Sequence, residues 1–376
     1  MTPAENNLLM RKLLTQNSPL IVKKLPTVTG AFGGTTRIKL NNTGLITRLY
    51  ADIHIPYNAS VAPTAIGNKG IFAAVPKVQL IDFDGSNRIN TSAFHLALRN
   101  AVRGWGNFAN QANLQSIAGL TTVATGFAND FREPQILVSN TGAQELRFIL
   151  EIPVAANVET GDLRGMLPAQ FVSGDLQLAI DFASLLNNGT ANDDFVFTGG
   201  TMTLATAPYV TVYQEYYLPQ KVKGILPMPQ DDINTVYELG VFSRTTDNIA
   251  AGQEKLVNFP IVREVNGIYN NFINNALLGG GSAANGILNH VIYANGNNIM
   301  YQADDFLQNH TECTLLKTDL PMGVNVYDFS NGPYSTAIFA NVQLALTPQG
   351  TMTSPAVETT FESLYAKGSA LSGAPV

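Results

Sequence analysis

The stretch Leu45-Ile-Thr-Arg-Leu-Tyr-Ala-Asp-Ile-His-Ile55 sets Leu45, Leu49, Ala51, Ile53 and Ile55 against Arg48, Tyr50, Asp52 and His54. Successive side chains of a strand point to opposite faces of its sheet, so this period of two buries one face and leaves the other polar. The same alternation returns in Leu146, Phe148, Leu150, Ile152 and Val154, opposed by Glu145, Arg147 and Glu151. It returns again in Leu176, Leu178, Ile180 and Phe182, opposed by Asp175, Gln177 and Asp181, and in Ile338, Ala340, Val342, Leu344 and Leu346. One-sided strands of this kind belong to antiparallel sandwiches, because a parallel sheet covered on both faces would be apolar throughout.

Turn signals separate these runs: Asn41-Asn42-Thr43-Gly44, Asp84-Gly85, Asn140-Thr141-Gly142, Asn188-Gly189 and Asn331-Gly332. Between Val291 and Tyr301 the pair Asn295-Gly296 sits among apolar positions, which predicts a hairpin. Long crossover helices are missing from the pattern. Two short segments, Ser92 to Val102 and about Asp162 to Leu167, read as helical insertions between strands. A third helix is expected from Pro3 to Gln16, with Thr2 as N-cap, Pro3 at the first helical position and Glu5 completing a capping box. It places Leu9, Met10, Leu13 and Leu14 on one face.

The chain has 376 residues, 45% hydrophobic and only 13% charged, with 32 Gly, 19 Pro and a formal charge of −6. Its 36 Asn residues supply much of the neutral polar surface. One eight-stranded sandwich rarely needs more than about 200 residues, so the length fits two. The fold class expected is therefore all-β: two tandem eight-stranded β-sandwiches with short helical insertions and an N-terminal amphipathic helix, which the resemblance given below implies are jelly rolls. We place an arm at 1–27, the first sandwich at 28–218, a Pro- and Lys-rich linker at 219–229, the second sandwich at 230–367 and a small-residue tail at 368–376, mobile or exchanged with a neighbour.

No apolar run reaches the length of a membrane span, and the N-terminus lacks the apolar core of a signal peptide. With Cys313 alone, neither an internal disulfide nor a cysteine metal site is expected. The charge is uneven: residues 1–48 carry Arg11, Lys12, Lys23, Lys24, Arg37, Lys39 and Arg48 against Glu5 alone. Such an arm on an acidic body either meets an anionic surface, lipid or nucleic acid, or is a solvated terminus.

Signatures of catalysis and metal binding give no positive support for an enzyme. The cluster Gly279-Gly280-Gly281 has no following Lys to reach a phosphate. His54, His95, His290 and His310 have no metal-ligand spacing. The pairs Asp82/Asp84, Asp193/Asp194, Asp231/Asp232 and Asp304/Asp305 could join a calcium site, but turn chemistry explains them more simply. Trp105 reads as a packing anchor and Cys313 as a buried thiol, while the sequons at Asn58 and Asn188 are what an Asn-rich chain gives by chance. No catalytic residue, cofactor or metal is assigned.

Several stretches resemble one family. They are Glu151-Ile-Pro-Val154, Glu159-Thr-Gly-Asp-Leu-Arg-Gly-Met-Leu-Pro-Ala-Gln170 and Asp175-Leu-Gln-Leu-Ala-Ile-Asp-Phe182, then Val212-Tyr-Gln-Glu-Tyr-Tyr217, Gly224-Ile-Leu-Pro227 and Thr235-Val-Tyr-Glu-Leu239. Thr91-Ser-Ala-Phe-His-Leu96 and Thr318-Asp-Leu-Pro-Met-Gly-Val324 add weaker matches. In order and spanning most of the chain, they are similar to the double jelly-roll major capsid proteins of tectivirus-type bacteriophages, which enclose an internal membrane.

That resemblance implies a virion structural protein, made in the host cytoplasm, whose homotrimers form pseudo-hexagonal capsomers of an icosahedral shell. Its implied partners are neighbouring capsomers, penton and minor capsid proteins and the internal lipid membrane, with no sequence-specific nucleic acid. The membrane- or interior-facing arm would be Leu9, Met10, Arg11, Lys12, Leu13, Leu14, Lys23 and Lys24. The alternatives are a carbohydrate- or receptor-binding spike protein using Tyr209, Tyr213, Tyr216 and Tyr217 as a stacking surface, or a two-sandwich glycan hydrolase. Exposed coplanar rings would favour binding, and buried rings the capsid reading.

Overall fold

The computed structural model describes residues 2–103, 141–171, 174–233, 237–247, 249–260, 264–278, 286–296, 298–316, 320, 323–329, 334–335, 341–349 and 355–366. Trp105, Gly279 to Gly281, the turns at Asn140 and Asn331-Gly332, the positions Ile338 and Ala340, and the tail 368–376 lie outside the described residues, as does the side chain of Cys313.

The first sandwich contains β1 (Leu20–Lys24), β2 (Thr35–Lys39), β3 (Leu45–Val61), β4 (Lys77–Ile81), β5 (Asn87–Thr91), β6 (Gly142–Pro153), β7 (Gln177–Asp181) and β8 (Tyr209–Tyr217). The second contains β9 (Tyr237–Asp247), β10 (Lys255–Asn258), β11 (Glu264–Asn274), β12 (Ile287–Ala294), β13 (Asn298–Asp304), β14 (Val324–Asp328), β15 (Val342–Pro348) and β16 (Ala356–Ala366). Hydrogen bonding orders the first set as β1-β8-β3-β6 against β2-β7-β4-β5, and the second as β9-β16-β11-β14 against β10-β15-β12-β13. Adding eight to each label turns one set into the other. The chain is thus one jelly-roll topology written twice.

Each sandwich packs around an apolar cluster, and that of the first continues across the junction into Leu239, Val241, Val324, Val326 and Leu364 of the second. Ala51, Ile53 and Ile55 of β3 and Phe148 and Leu150 of β6 join Ile38, Val78, Leu80, Leu178 and Ile180 of the facing sheet. In the second sandwich Ile268 and Phe272 of β11 and Val357 and Phe361 of β16 join Val257, Ile292, Leu344 and Leu346. The period of two selects these residues, and the pleat delivers them to one side.

Among the described residues three α-helices accompany the strands: α1 (Pro3–Asn17), α2 (Ala93–Val102) and α3 (Asp305–Leu316). The α1 capping box forms as its residues predict, with Glu5 N–H donating to the Thr2 hydroxyl at 3.2 Å and Thr2 N–H to the Glu5 carboxylate at 2.7 Å. The Asn295-Gly296 turn joins β12 to β13, both residues having positive φ, 51° and 92°.

The structure differs from local expectation in four places. Asp162 to Leu167 is not helical, because its backbone is engaged elsewhere: Met166 N–H donates to Asp232 O at 3.0 Å and Leu167 N–H to Ile46 O at 3.0 Å, while Gly165 sits at φ 93°. The helix α3 was not expected, since the buried positions on it include Gln308 and Glu312, which leave no apolar period to read. Asp304 caps α3 instead of serving a turn, accepting from Leu307 N–H at 2.8 Å. Finally β1 lies within the segment expected to form the arm, yet it pairs along its length with β8, Leu20 opposite Tyr217 and Lys24 opposite Tyr213.

Gly44 tests the turn before β3. Its φ is 65°, and a Cβ there would collide with the Tyr216 ring and the Tyr217 carbonyl. Gly44→Ala should cost about 2–4 kcal/mol in urea unfolding, from left-handed strain plus overpacking. Gly85→Ala, at φ 83° with open space around it, should cost only about 1 kcal/mol.

Candidate functional site

The residues that bind the two sandwiches together form the most heavily built polar site among the described residues. It begins on α2, where Ser92 caps the helix by accepting from His95 N–H at 3.3 Å. Phe94, Leu96, Ala97 and Leu98 bury the helix in the first core. Arg99 and Arg103, one turn apart and therefore on one face, reach across to Glu362 of β16. Arg99 donates to Glu362 Oε1 from Nε at 3.0 Å and Nη2 at 2.7 Å. Arg103 donates to Oε2 from Nε at 3.0 Å and Nη2 at 2.5 Å. The Tyr269 hydroxyl adds a donor to Oε2 at 2.9 Å, and Arg103 Nη1 also binds Asp328 at 2.6 Å.

All of these groups except the partly exposed Asp328 are buried. Burial alone would raise the Glu362 carboxyl, but the charges of Arg103 and Arg99 outweigh it and bring the group down from 4.5 to about 2. Burial and the Glu362 charge push the Tyr269 phenol well above its ordinary range. A buried carboxylate whose two oxygens are held by donors and whose pKa is depressed is a weak base. It can lock the register of two domains.

Further ties cross the same junction. β5 pairs in parallel with β9, Ile89 opposite Val241 and Asn90 opposite Phe242, so that two sheets run together as one. The Ser243 hydroxyl lies 2.5 Å from that of Thr91 and 2.6 Å from that of Thr360. Arg88, fully buried, donates to Gly165 O at 2.7 Å and lies 3.9 Å from both Asp82 and Glu238. Asp193, in a loop of the first sandwich, accepts from Leu278 N–H of the second at 2.7 Å.

The N-terminal residues divide into two groups. Leu14 is fully buried with Leu45, Ala155, Leu163, Met166 and Tyr217. The Arg11 guanidinium forks onto Asp232 at 2.8 and 2.6 Å. Met10 and Leu13 are half-buried, whereas Leu8, Leu9 and Lys12 face out from α1 and Lys23 and Lys24 from β1. The sequence's cluster of positive charge is partly cancelled in the fold: Arg11 is paired, Lys39 meets Asp175, and Arg48 is held by Glu151, Glu159 and Glu215.

The polar face of β3 is likewise occupied. Asp52 receives the Arg147 fork at 2.9 Å, and His54 lies between Asp52 and Glu145 at 3.1 and 3.0 Å. Tyr209 stacks on His54 with centroids 4.4 Å apart. Tyr216 and Tyr217 are buried and Tyr213 half-buried, so the tyrosines of β8 do not form an exposed coplanar platform. The carboxylate pairs serve turns, caps and ion pairs: Asp84 holds Ser86, Asp194 holds Lys69, and Asp304 caps α3. Among the described residues no group of three His, Cys, Asp or Glu side chains could hold a metal ion, and no helix is long and apolar enough to cross a membrane.

Sequence reasoning missed Arg99, Arg103, Tyr269 and Glu362. The one available signal was a pair of arginines four apart on an apolar helix, which calls for a buried carboxylate without saying which.

A family model described as the N-terminal part of the P3 major capsid protein matches residues 9–220, more than half of the chain. No curated protein matches. Among solved structures, the major capsid protein of the Sulfolobus virus STIV matches with a TM-score of 0.64 at 12% identity, over 92% of this chain and 97% of that one. VP54 of the virus PBCV-1 gives 0.59 at 12% identity, over 93% and 94%. The major capsid protein P2 of bacteriophage PM2 gives 0.51 at 9% identity, over 93% and 98%. At such identities the likeness is one of fold.

Two substitutions test the buried carboxylates. Glu362→Gln, which removes the carboxylate that both guanidinium groups share and leaves Arg103 with Asp328, should cost about 3–5 kcal/mol in thermal or urea unfolding. Because the Glu362 pKa is depressed in the fold, its stabilisation is present above about pH 4.5 and is lost as pH falls through about 2. Glu312, on α3, has the opposite sign: burial raises its carboxyl from 4.5 to about 8 despite donors from Gln308 and Val326 N–H. The protonated form is favoured in the fold, so stability declines as pH rises from about 4.5 through 8. Glu312→Gln should remove that decline and melt above the wild-type protein at pH 9.

Proposed function

Since this chain belongs to the P3 major capsid protein family and is a major capsid protein, a component of the virion shell, we propose that three copies close into a pseudo-hexagonal capsomer that tiles an icosahedral shell around an internal membrane. The observation that carries this reading is the duplicated jelly roll held as one body by the Glu362 clamp and the β5–β9 pairing. Two equivalent sandwiches per chain give three chains six, and a buried, charge-locked junction keeps each pair in fixed relation as shell contacts load it. The role is structural and no reaction is catalysed. Neighbouring capsomers, penton and minor capsid proteins are the other partners, with no sequence-specific nucleic acid.

The arm supports a position at the inner surface. Leu14 and Arg11 anchor α1 to the body, which leaves Leu8, Leu9 and Lys12 outward. Exposed leucines beside a lysine suit the interface of an anionic bilayer, where apolar burial and charge attraction act together.

Light scattering on the purified protein should give three times the 40.4 kDa chain mass, and a monodisperse monomer would contradict the capsomer. Leu9→Asp combined with Lys12→Glu should leave the trimer intact yet abolish flotation with phosphatidylglycerol vesicles. Undiminished flotation would remove the arm from the membrane.

A further inference from the structure

The junction inside the chain uses one edge of each sandwich and leaves another. In the first sandwich the last strand of the β2-β7-β4-β5 sheet, β5, adds in parallel to β9, the first strand of the second sandwich's β9-β16-β11-β14 sheet. By the duplicated topology, the counterpart of β5 is β13 and the counterpart of β9 is β1. Among the described residues both lie at sheet edges, β13 paired only to β12 and β1 only to β8.

Resting on the capsomer reading, we propose that β13 of one copy adds in parallel to β1 of the next, with α3 laid against the neighbour's β8, so that the contact within the chain recurs between chains.

Three observations support a second copy of this chain as the occupant. The helices that follow β5 and β13 are equivalent in the chain, yet their surroundings differ. Eight residues of α2 are buried, and from it Arg99 reaches Glu362 of the second sandwich, whereas Phe306 of α3 is 84% exposed and Leu307 and Leu315 are also exposed. The edge strands match as well: Ile299 and Met300 of β13, and Leu20 and Val22 of β1, are exposed apolar residues. Both strands then end in charge of opposite sign, Asp304 on β13 and Lys23 and Lys24 on β1. A parallel pairing sets apolar beside apolar and Asp304 beside the lysines; an antiparallel one would oppose them. Unpaired edges with apolar side chains are otherwise sites of aggregation, and a head-to-tail contact between unlike patches closes into a ring when its rotation allows.

The contact between chains would also differ in strength. The internal one is locked by two buried arginines on Glu362, while α3 brings Phe306 and Leu307 and no cation among its residues. An apolar contact without buried ions separates without stranding a charge, which suits a contact made after each chain has folded.

The experiment compares native mass and covalent capture in parallel. Phe306→Asp with Ile299→Asp, and separately Val22→Asp, should each give folded monomers, their circular dichroism matching wild type, while Phe171→Asp, an exposed apolar residue elsewhere, stays trimeric. As a second readout that does not depend on weakening the contact, Met300→Cys and Leu20→Cys, opposite each other when Asp304 faces Lys24, are introduced separately into a Cys313→Ser background. Oxidation should give a disulfide-linked dimer when the two proteins are mixed before assembly, with far less in either alone. If wild type is trimeric but the edge variants remain trimeric and the mixture does not cross-link, the strand addition is wrong and the capsomer survives. If wild type is itself monomeric, the capsomer reading fails and takes this one with it.

Discussion

The carboxylate of Glu362 is the point on which the two halves of the molecule depend. It belongs to β16 of the second sandwich and is bound by two arginines from α2 of the first, with Tyr269 completing its donors. Removing three ions from water is costly, and a well-packed apolar contact could hold the sandwiches as firmly. What the clamp adds is a unique geometry: two planar forks and one carboxylate fit in a single register, whereas apolar surfaces slide. Together with the parallel pairing of β5 and β9, it turns two similar domains into one body.

Duplication then distributes tasks between copies of one plan. The helix after the fifth strand of the first sandwich is internal and carries the arginines. Its counterpart α3 carries polar residues on its buried side, Gln308 and Glu312, and apolar residues outside. The same local topology therefore gives a permanent contact in one place and an open surface in the other. The charged outer face of β3, filled by Arg48, Asp52 and His54 with their partners, shows a related economy. Charges that look free in the sequence are neutralised by strands far away in the chain.

Strand and turn legibility followed from local physics. The alternation in Leu45 to Ile55 needs only the pleat to become a buried face, and Asn295-Gly296 needs only its two positive φ angles to become a hairpin. The capping box at Thr2 and Glu5 closes within one helical turn. α3 escaped because its helix is specified by Asp304 as a cap and by the burial of Gln308 and Glu312 against the second sandwich, neither of which has an apolar period. Asp162 to Leu167 was misread for the converse reason: its backbone groups are claimed by Ile46 and Asp232, which no local pattern reveals.

By itself the sequence determined that this protein is two antiparallel sandwiches with a capped N-terminal helix, because side-chain alternation, turn residues and caps act over a few positions. Only the tertiary structure decided that Arg11, Lys39 and Arg48 are consumed in ion pairs, that β1 belongs to a sheet instead of a free arm, and that Glu362 joins the halves. Arg99 and Glu362 are 263 positions apart. Electrostatic partners at such separations are chosen by how the sheets fold over one another, and a carboxylate among 28 acidic residues carries no mark of its partner in the sequence.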